Sequence, residues 1–303
     1  MRVFLTGATG LIGRALSASL CGDGHEVVAL SRGASPAGMT AGSRAVLGDP
    51  AVPGAWQDEL SRCDACVNLA GEPVAAGRWT EERRRRIRDS RVNATRNVAA
   101  VIAGGGPTVL VSGSAIGYYG PRGDEVLDES SPPGDDFLAR VAVEWEEAAS
   151  QAARRARVVL VRTGIVLAAE GGALPKLALP FRLLAGGPVG DGRFWQSWIH
   201  LADQVGILRL ALQDPAASGP VNATAPDPVR NRDLARTMGR VLHRPSLLAT
   251  PAFAVRAALG EMAEVVLASQ RVVPRAALSL GYRFRWPALE PALRDLFHRE
   301  LKS

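Results

Sequence analysis

The sequence has little cysteine, and its three cysteines exclude the dense disulfide framework of a small secreted protein. We therefore expect a reducing, cytoplasmic location. Cys63 and Cys66 form a C-x-x-C pair, but Cys66 begins the apolar run CVNLA and so belongs to a predicted buried strand. A redox pair would place its first cysteine at a helix N-terminus, where the thiolate is stabilised. The structural interpretation of this pair is therefore favoured.

Long apolar runs are also missing, and no segment of the sequence is long and apolar enough to cross a bilayer. The opening MRVFLTGATGLIG predicts a first strand and a glycine turn instead of a signal peptide. Lysine is limited to Lys176 and Lys302, so arginine carries the net charge of +6. The densest run, TEERRRRIRDSR at residues 80–91, mixes in acidic residues and lacks an aromatic ladder. This favours a solvated helix face over a nucleic-acid surface, and the few scattered histidines predict no metal site.

Short apolar runs alternate with helical patterns over the first half of the chain. The predicted strands are Arg2–Thr6, Glu26–Ser31, Ala45–Leu47, Ala65–Leu69, Thr108–Ser112 and Arg157–Arg162. The predicted helices are Leu11–Leu20, Pro53–Leu60, Thr80–Ala103, Phe137–Ala153, Asn231–Leu242, Ala252–Ser269 and Glu290–Leu301. The alternation predicts an α/β fold, a Rossmann doubly wound parallel sheet with a smaller, mostly helical C-terminal lobe.

A glycine turn, TGATGLIGRAL at residues 6–16, follows the first strand at once and opens a helix. Gly7 permits the tight turn, Gly10 lets backbone N–H groups approach a pyrophosphate, and Gly13 lets the helix pack close to the sheet. Together with the helix N-terminus, this spacing predicts a dinucleotide-binding site. The residues expected to contact the cofactor here are Gly7, Ala8, Thr9, Gly10, Leu11, Ile12 and Gly13.

The end of the second strand distinguishes between the two nicotinamide cofactors. An acidic residue there would bind the ribose 2′-hydroxyl of NAD, but the strand ends in Ser31 and Arg32. Ser31 can donate to a 2′-phosphate and Arg32 can pair with it. We therefore predict NADP(H), with an Arg32 that points to water as the alternative.

The domain organisation follows from the change of character after residue 170. Glycine and proline interrupt residues 171–203, which is typical of a loop-rich segment folded over a cleft. We assign residues 1–170, joined by 195–225, to an NADP-binding Rossmann domain. Residues 171–194 and 226–303 form a C-terminal lobe that covers the cleft.

Further motifs resemble the extended short-chain dehydrogenase/reductase superfamily, which includes the nucleotide-sugar epimerases. They are Gly48-Asp49, NLAG at 68–71, RVNATRNV at 91–98 and SGSAIGYYG at 112–120. From residue 1 to about 297 the chain is similar to an atypical epimerase-like subfamily with a distinctive C-terminal domain. That similarity rests on GEPVAAGRWTEERRRRIRDSR, RTGIVLAAEGGALPK, SWIHLAD and GEMAEVVLASQRVVPRAALSLGYRF. The resemblance implies cofactor contacts at Asp49, Leu69, Ala70, Gly71 and Glu72.

The superfamily works through Asn, Ser, Tyr and Lys side chains, and the tyrosine exchanges a proton with the substrate while hydride moves at the nicotinamide. The resemblance places the asparagine at Asn93 and the serine at Ser114. The tyrosine and lysine belong in DDFLARVAVEWE, residues 135–146, where two alignments place them at Asp136 and Arg140 or at Leu138 and Ala142. Neither alignment restores the pair, so ordinary tyrosine-driven hydride transfer is not expected.

Several residues near the predicted cleft have two interpretations. Tyr118 or Tyr119, close to Ser114, could take the role of the tyrosine, with packing and cleft lining as the alternative. Arg140 could place a positive charge near a phosphate. The candidate carboxylates, for which a solvated helix face is the alternative, are Asp136, Glu144 and Glu146.

The motif SWIHLAD adds candidates from the second half of the chain. His200 could be catalytic, with a structural role at the end of a strand as the alternative. Asp203 is expected to cap the following helix. Flat surfaces for a substrate ring, or core residues, are Phe194, Trp195 and Trp198. The residues that follow the sixth strand and are expected at the nicotinamide end are Arg162, Thr163 and Gly164.

Two functions remain open from the sequence. The first is an NADP(H)-binding oxidoreductase or nucleotide-sugar-epimerase-like enzyme with an altered catalytic set. The second is a non-catalytic NADP(H)-binding regulatory or sensor protein that acts through protein partners. We expect a small-molecule substrate, no nucleic acid and no membrane, and a homodimer is compatible with the sequence.

Overall fold

The computed structural model describes residues 1–33 and 39–300. The strands in these ranges are β1 (Arg2–Thr6), β2 (Glu26–Ser31), β3 (Arg44–Leu47), β4 (Ala65–Asn68), β5 (Val109–Ala115), β6 (Val126–Leu127), β7 (Arg157–Thr163), β8 (Ile165–Ala168), β9 (Gly171–Gly172), β10 (Trp195–Gln196), β11 (Trp198–His200), β12 (Gly219–Ala223), β13 (Val229–Arg230) and β14 (Arg271–Val272). The helices are α1 (Leu11–Gly22), α2 (Trp56–Ser61), α3 (Glu81–Ala103), α4 (Phe137–Ser150), α5 (Leu174–Arg182), α6 (Leu201–Gln213), α7 (Asn231–Leu242), α8 (Ala252–Leu259), α9 (Ala263–Leu267), α10 (Arg275–Ser279) and α11 (Leu289–Glu300). Short 3₁₀ helices cover Ile116–Tyr119, Gln151–Arg154 and Gly260–Met262.

Within the described residues, seven strands form one parallel sheet in the order β12-β7-β5-β4-β1-β2-β3. The chain starts in the middle of the sheet and winds outward in both directions, so the strand order reverses beside β1. Because helices cover both faces of the sheet, its inner strands, such as β1 and β7, are nearly continuous apolar runs. The predicted fold class is confirmed, and its reversal point is where such sheets bind ligands.

Helices cover both faces of this sheet. On one face, α1 and α6 bury side chains such as Leu16 and Ile207 in one apolar cluster. On the other face, α2, α3 and α4 contribute a second cluster with Trp56, Val98 and Ala149. Each of the larger side chains stabilises the fold by about 1.5–3 kcal/mol through its burial.

The C-terminal part adds a third apolar cluster beside the sheet. Helices α5, α7 and α11 pack together around Phe181, Met238 and Leu293, next to the small sheet β11-β8-β9. The carboxylate of Asp203 on α6 holds the segment that leads into α11. It accepts hydrogen bonds from the Tyr282 hydroxyl at 3.0 Å, the Arg285 N–H at 2.8 Å and the Trp286 N–H at 2.9 Å.

The predicted elements recur with shifted ends, and some predictions were wrong. The helix predicted at Ala252–Ser269 is divided into α8 and α9, because Gly260 between them has a φ of 60°. Asp203 does not cap α6, since the capping group is His200, whose Nδ1 accepts from the Ala202 N–H at 3.0 Å. Strand β12 was not predicted, and Leu301 of the predicted last helix lies outside the described residues.

Among the described residues, no helix has the length and apolar character needed to span a bilayer.

Replacing Asp203 by alanine should destabilise the protein by about 3 kcal/mol, because two backbone N–H groups and a buried hydroxyl lose a charged acceptor. The carboxylate is 1% exposed, so water cannot replace it without opening the structure. Urea unfolding measures the loss. The control is Glu147→Ala, an exposed carboxylate on α4 that should change stability by less than about 0.5 kcal/mol. Equal effects of the two substitutions would contradict the anchoring role.

Candidate functional site

The predicted glycine turn packs backbone against backbone. Gly7 has a φ of 67°, and a Cβ there would lie 2.6 Å from the carbonyl oxygen of Leu69. A Cβ on Gly13 would lie 2.2 Å from the carbonyl oxygen of Gly7. Any side chain at either position would therefore push β1, α1 and the loop after β4 apart.

The N-terminus of α1 offers free backbone donors. Its N-cap, Gly10, gives no side-chain cap, and the first turn contains no acidic residue. Thr9 and Gly10 are exposed, Ala8 is buried, and Leu11 and Ile12 are half-buried. Amide groups without a side-chain acceptor at a helix N-terminus suit a phosphate group. The turn therefore fits the diphosphate of a dinucleotide.

A buried network fixes the loop that faces this turn. The Thr6 hydroxyl donates to Asn68 Oδ1 at 2.6 Å and accepts from the N–H groups of Leu69 and Ala70, each at 3.1 Å. Asn68 Nδ2 in turn donates to Thr95 Oγ1 at 2.8 Å. The predicted contact residues Leu69 and Ala70 are thereby held beside the glycine turn.

The remaining predicted cofactor residues lie along the same carboxyl edge of the sheet. Because β2 pairs with β1, Ser31 and the exposed Arg32 end next to the glycine turn. Asp49 is exposed and accepts from the Ala51 N–H at 2.9 Å. After Gly71, the Glu72 carboxylate pairs with Arg83 at 3.4 Å, and the Glu72 N–H donates to Ser90 Oγ.

A cavity of about 410 Å³ opens beyond the carboxyl ends of β5 and β7. The sheet contributes Ser114, Thr163 and Gly164 to its wall. Helix α4 contributes Asp136, Phe137, Leu138, Val141, Ala142 and Trp145, and α9 closes the opposite side with Val265 and Val266. The wall is mostly apolar, and among the described residues that line it there is no tyrosine and no lysine.

Ser114 belongs to a buried polar network behind this wall. Its hydroxyl donates to Glu146 Oε1 at 2.6 Å, and the Glu146 carboxylate accepts two hydrogen bonds from Arg162, each at 2.8 Å. Arg162 also donates to the Tyr119 hydroxyl at 3.0 Å, which donates to Asn222 Oδ1 at 2.7 Å. The network joins α4, β5, β7 and β12 through one ion pair.

Burial and partners set the charge states of this network. Burial alone would lower the pKa of Arg162, but its hydrogen bonds to Glu146 and the charge of that carboxylate raise it above its ordinary value. Burial raises the pKa of Tyr119 to about 12, although Arg162 opposes the shift. Arg162 therefore stays charged and Tyr119 stays neutral at physiological pH.

The other candidate catalytic residues lie in different surroundings. Tyr119 is fully buried, and neither tyrosine of the pair lines the cavity. The Tyr118 ring is half-buried, with the Arg162 Cζ 3.5 Å from its centroid. Asn93 is half-buried on α3. Arg140 is exposed, where it donates to the Asp135 carbonyl oxygen.

The three candidate carboxylates of the α4 region lie in three different surroundings. Asp136 caps α4 by accepting from the Ala139 N–H at 2.8 Å and also lines the cavity. Glu144 pairs with Arg88 at the surface. The solvated-face interpretation was wrong for Glu146, which is 8% exposed and ion-paired.

The aromatic and histidine candidates divide between cavity and core. Trp195 lines the cavity, whereas Trp198 is fully buried and donates to the Asp227 carbonyl oxygen at 3.1 Å. His200 caps α6 and lies 3.3 Å from Asp295, away from the cavity wall.

The cysteine pair and the arginine run have structural surroundings. Cys63 and Cys66 are free and buried, and burial raises the pKa of both thiols, that of Cys63 to about 11. Four arginines of α3 form ion pairs, which are Arg83–Glu72, Arg84–Glu261, Arg86–Glu82 and Arg88–Glu144. In the described part of the chain, no group of three or more His, Cys, Asp or Glu side chains could hold a metal ion.

Arg91 is a charged residue of the cavity wall that was not predicted from the sequence. Arg91 lies one helical turn after Ile87 on α3, and both side chains line the cavity. The stripe that contains them continues with the buried residues Thr95 and Val98. An arginine within an apolar stripe at helical spacing was the available signal.

Two family models match the chain. Residues 3–223 match the NAD dependent epimerase/dehydratase family, and residues 250–296 match a domain of unknown function (DUF1731). The second match includes α8 and α9, so it contains the segment that closes the cavity.

Relatives and a solved structure are similar over nearly the whole chain. The epimerase family protein SDR39U1 homolog, chloroplastic, of Arabidopsis thaliana is 43% identical over 301 residues, covering 98% of this chain and 86% of that protein. Epimerase family protein YfhF of Bacillus subtilis (strain 168) is 39% identical, covering 98% of each. The crystal structure of human epimerase family protein SDR39U1 (isoform2) with NADPH has 36% sequence identity and a TM-score of 0.88, covering 98% of this chain and 99% of that one.

Substituting Glu146 by glutamine should destabilise the protein by about 3 kcal/mol, because Arg162 becomes a buried charge without a carboxylate. The matched control is Glu144→Gln on the same helix, whose pair with Arg88 is partly exposed and should contribute less than about 1 kcal/mol. Chemical denaturation of both variants measures the difference. Loss of equal size in the two variants would show that the buried pair has no special role.

Proposed function

The chain belongs to the NAD dependent epimerase/dehydratase family, which confirms the resemblance of its motifs, and on that premise we propose that it is an NADP(H)-dependent oxidoreductase or epimerase-like enzyme with an altered catalytic set. The observation that carries the proposal is the position of Ser114. Its hydroxyl lies in the wall of an apolar cavity at the same sheet edge as the glycine turn.

The glycine turn and the cavity can serve one cofactor. Strands β1 and β5 are separated only by β4, so their ends lie roughly 10 Å apart across the sheet. Strand β7, which ends in Thr163, lies one strand further, roughly 14 Å from β1. Thr163 and Gly164 would hold the nicotinamide end of a dinucleotide whose diphosphate binds at α1. The bound cofactor supplies hydride transfer at C4 of that ring. Arg32 is the group proposed to bind the 2′-phosphate, and the related human protein was crystallised with NADPH.

The missing tyrosine and lysine can be assigned to positions of α4. A Tyr-x-x-x-Lys pair needs both side chains on one helix face toward the cofactor. Leu138 and Ala142 both line the cavity, whereas the alternative assignment includes Arg140, which is exposed. We infer that Leu138 and Ala142 occupy the two positions, so proton transfer must use another group.

Ser114 and Glu146 are the groups we propose for this role. The Ser114 hydroxyl donates to Glu146, so its oxygen keeps lone pairs that can accept a hydrogen bond, and Ser114 lines the cavity. A substrate hydroxyl can donate to that oxygen, and its proton can pass through Ser114 to the carboxylate. When a carbonyl compound is reduced, the same path runs in reverse and delivers a proton to the substrate oxygen. Arg162 holds the carboxylate in place. We propose Asn93 as a positioning residue. We assign no proton-transfer role to Tyr118 or Tyr119, because neither lines the cavity.

We also propose the division of the chain made above, with residues 1–170 and 195–225 binding the nucleotide and residues 171–194 and 226–303 covering the cleft. Residues 301–303 lie outside the described residues. The pairing of β12 with β7 supports the return of the chain to the first domain. Free cysteines support the cytoplasm as the proposed location.

A non-catalytic NADP(H)-binding regulatory or sensor protein is the second candidate. The observation in its favour is the wall itself, in which the described residues include neither tyrosine nor lysine. The two functions differ in one measurable respect, since only the enzyme consumes NADPH when a carbonyl compound is added.

Binding of the cofactor tests the role of Arg32. Arg32→Ala should weaken NADPH binding roughly tenfold to a hundredfold, because a charged hydrogen bond to a phosphate contributes about 1.5–3 kcal/mol. NADH binding should stay unchanged. Calorimetric titration of both nucleotides gives the two affinities. The control is Arg236→Ala, an exposed arginine on α7. Tighter binding of NADH than NADPH by the unchanged protein would reject the assignment.

Turnover tests the catalytic proposal. We expect the protein to oxidise NADPH in the presence of a member of a carbonyl panel, measured as loss of NADPH absorbance. Ser114→Ala should then lower kcat by roughly 10²–10⁴-fold with unchanged NADPH affinity. Ser112→Ala is the control on the same strand, since Ser112 is buried and does not line the cavity. NADPH that binds tightly but is consumed with no compound would favour the second candidate.

A further inference from the structure

Arg91 is the only cationic side chain that the described residues place in the cavity wall. Its guanidinium lies against Gly71, where a Cβ would come within 3.1 Å of Arg91 Cζ. On another side, the Trp145 ring centroid is 5.3 Å from Cζ. The backbone of the loop after β4 and an indole ring therefore fix the direction of the charge.

Among the described residues, Arg91 has no ion-pair partner, and only the more distant Glu72 carboxylate acts on its charge. Of its five N–H donors, one is used in a hydrogen bond to the Ile87 carbonyl oxygen, at 2.9 Å. The carboxylates on this side of the cavity pair with other arginines of α3, Glu72 with Arg83 and Glu144 with Arg88. Burial lowers the pKa of Arg91 to about 10. A partly desolvated cation of this kind gains from an anionic partner.

Most other polar groups of the wall have partners within the protein, and the indole N–H of Trp145 is an exception among the described residues. The two wall carboxylates are also engaged, since Asp136 accepts from the Ala139 N–H and Glu264 pairs with Arg256 at 3.6 Å. Ser197 donates to the Gln270 carbonyl oxygen at 2.8 Å, and Gln270 Nε2 donates to the Ile116 and Gly120 carbonyl oxygens. Gln196 accepts from Asn231 at 3.1 Å. The flat apolar surfaces are Trp79, Phe137, Trp145 and Trp195. The cavity thus offers aromatic faces, one free cation and few other free polar groups.

We propose that the cavity takes a flat, largely apolar carbonyl or hydroxyl compound with a single acidic group, whose anion pairs with Arg91. The reacting oxygen lies at Ser114, and the acidic group lies at the α3 side of the cavity. A sugar fits this wall poorly, because each of its hydroxyl groups needs a hydrogen-bond partner when it leaves water. The substrate class rests on the proposed function, whereas the anion site does not.

The test uses a flat aromatic anion and its neutral counterpart. 8-Anilinonaphthalene-1-sulfonate and N-phenyl-1-naphthylamine differ by the sulfonate, and both become fluorescent in an apolar cavity. They are titrated into the full-length protein with and without NADP⁺, which is itself not fluorescent. The variants are Arg91→Gln and Arg91→Lys. The control is Arg86→Gln on the same helix, whose exposed side chain pairs with Glu82.

We expect Arg91→Gln to weaken sulfonate binding roughly tenfold to a hundredfold and to leave the neutral probe unchanged. Arg91→Lys should retain part of the preference, and Arg86→Gln should match the unchanged protein. An Arg91→Gln protein with the original ratio of the two affinities would overturn the proposal. If that variant loses both probes, Arg91→Lys decides, since loss of the sulfonate preference there also overturns it.

Two further measurements separate this inference from the proposed function. Displacement of the sulfonate probe by a nucleoside diphosphate sugar at lower concentration than by 1-naphthoate would overturn the substrate class. Arg91-dependent probe binding without any NADPH oxidation would leave the anion site intact and reject only the enzymatic function. Oxidation of NADPH with a carbonyl compound, together with probe binding that does not depend on Arg91, would support the enzymatic function and reject the anion site.

Discussion

The ion pair between Glu146 and Arg162 sets the arrangement of the whole carboxyl edge. Two charges removed from water are stable only if nearly all their hydrogen-bonding groups find partners, and here those partners come from separate elements. Ser114 belongs to β5, Arg162 to β7 and Asn222 to β12, while Glu146 belongs to α4. Loss of any one partner leaves a buried polar group unsatisfied, so the four elements keep one relative position. The polar network therefore acts as the positional reference for the cavity in front of it.

The position of α4 follows from this reference. Ala142 and Leu138 precede Glu146 by about one and two helical turns, so a fixed Glu146 turns both side chains toward the cavity. The same rotation leaves Arg140 in solvent. In the function proposed above, the positions for the tyrosine and lysine of the superfamily hold these apolar side chains, and the polar chemistry of the site falls to Ser114. One orientation of α4 then accounts both for this proposed catalytic set and for the buried ion pair.

The sequence predicted what depends on local pattern, and it failed where distant partners decide. The strands of the sheet, apart from β12, are apolar runs bounded by turn residues, so the sequence was enough to predict the fold. The spacing of Gly7, Gly10 and Gly13 was likewise enough to predict the glycine turn. Strand β12 contains glycine, proline and asparagine and is recognisable only beside β7. Aspartate at the start of a helix is typical of a cap, yet the carboxylate oxygens of Asp203 accept hydrogen bonds from a segment about 80 residues later. The burial of Glu146 could not be predicted for the same reason, because its partner Arg162 lies on another element.

Arg162 and Arg91, the two arginines at this edge of the sheet, differ in the source of their anionic partner. Arg162 receives a carboxylate from α4 and is sealed from water, so its charge has only a structural effect. Arg91 has an indole face, a backbone wall and a single carbonyl acceptor, and it faces open volume. Each arginine places a charge among apolar side chains, which costs stability unless an opposite charge arrives. Since the fold provides that opposite charge at Arg162 and leaves it out at Arg91, the uncompensated site is the one arranged for a ligand. Aromatic walls then raise its selectivity, because an anion attached to a flat apolar body gains from both surfaces at once.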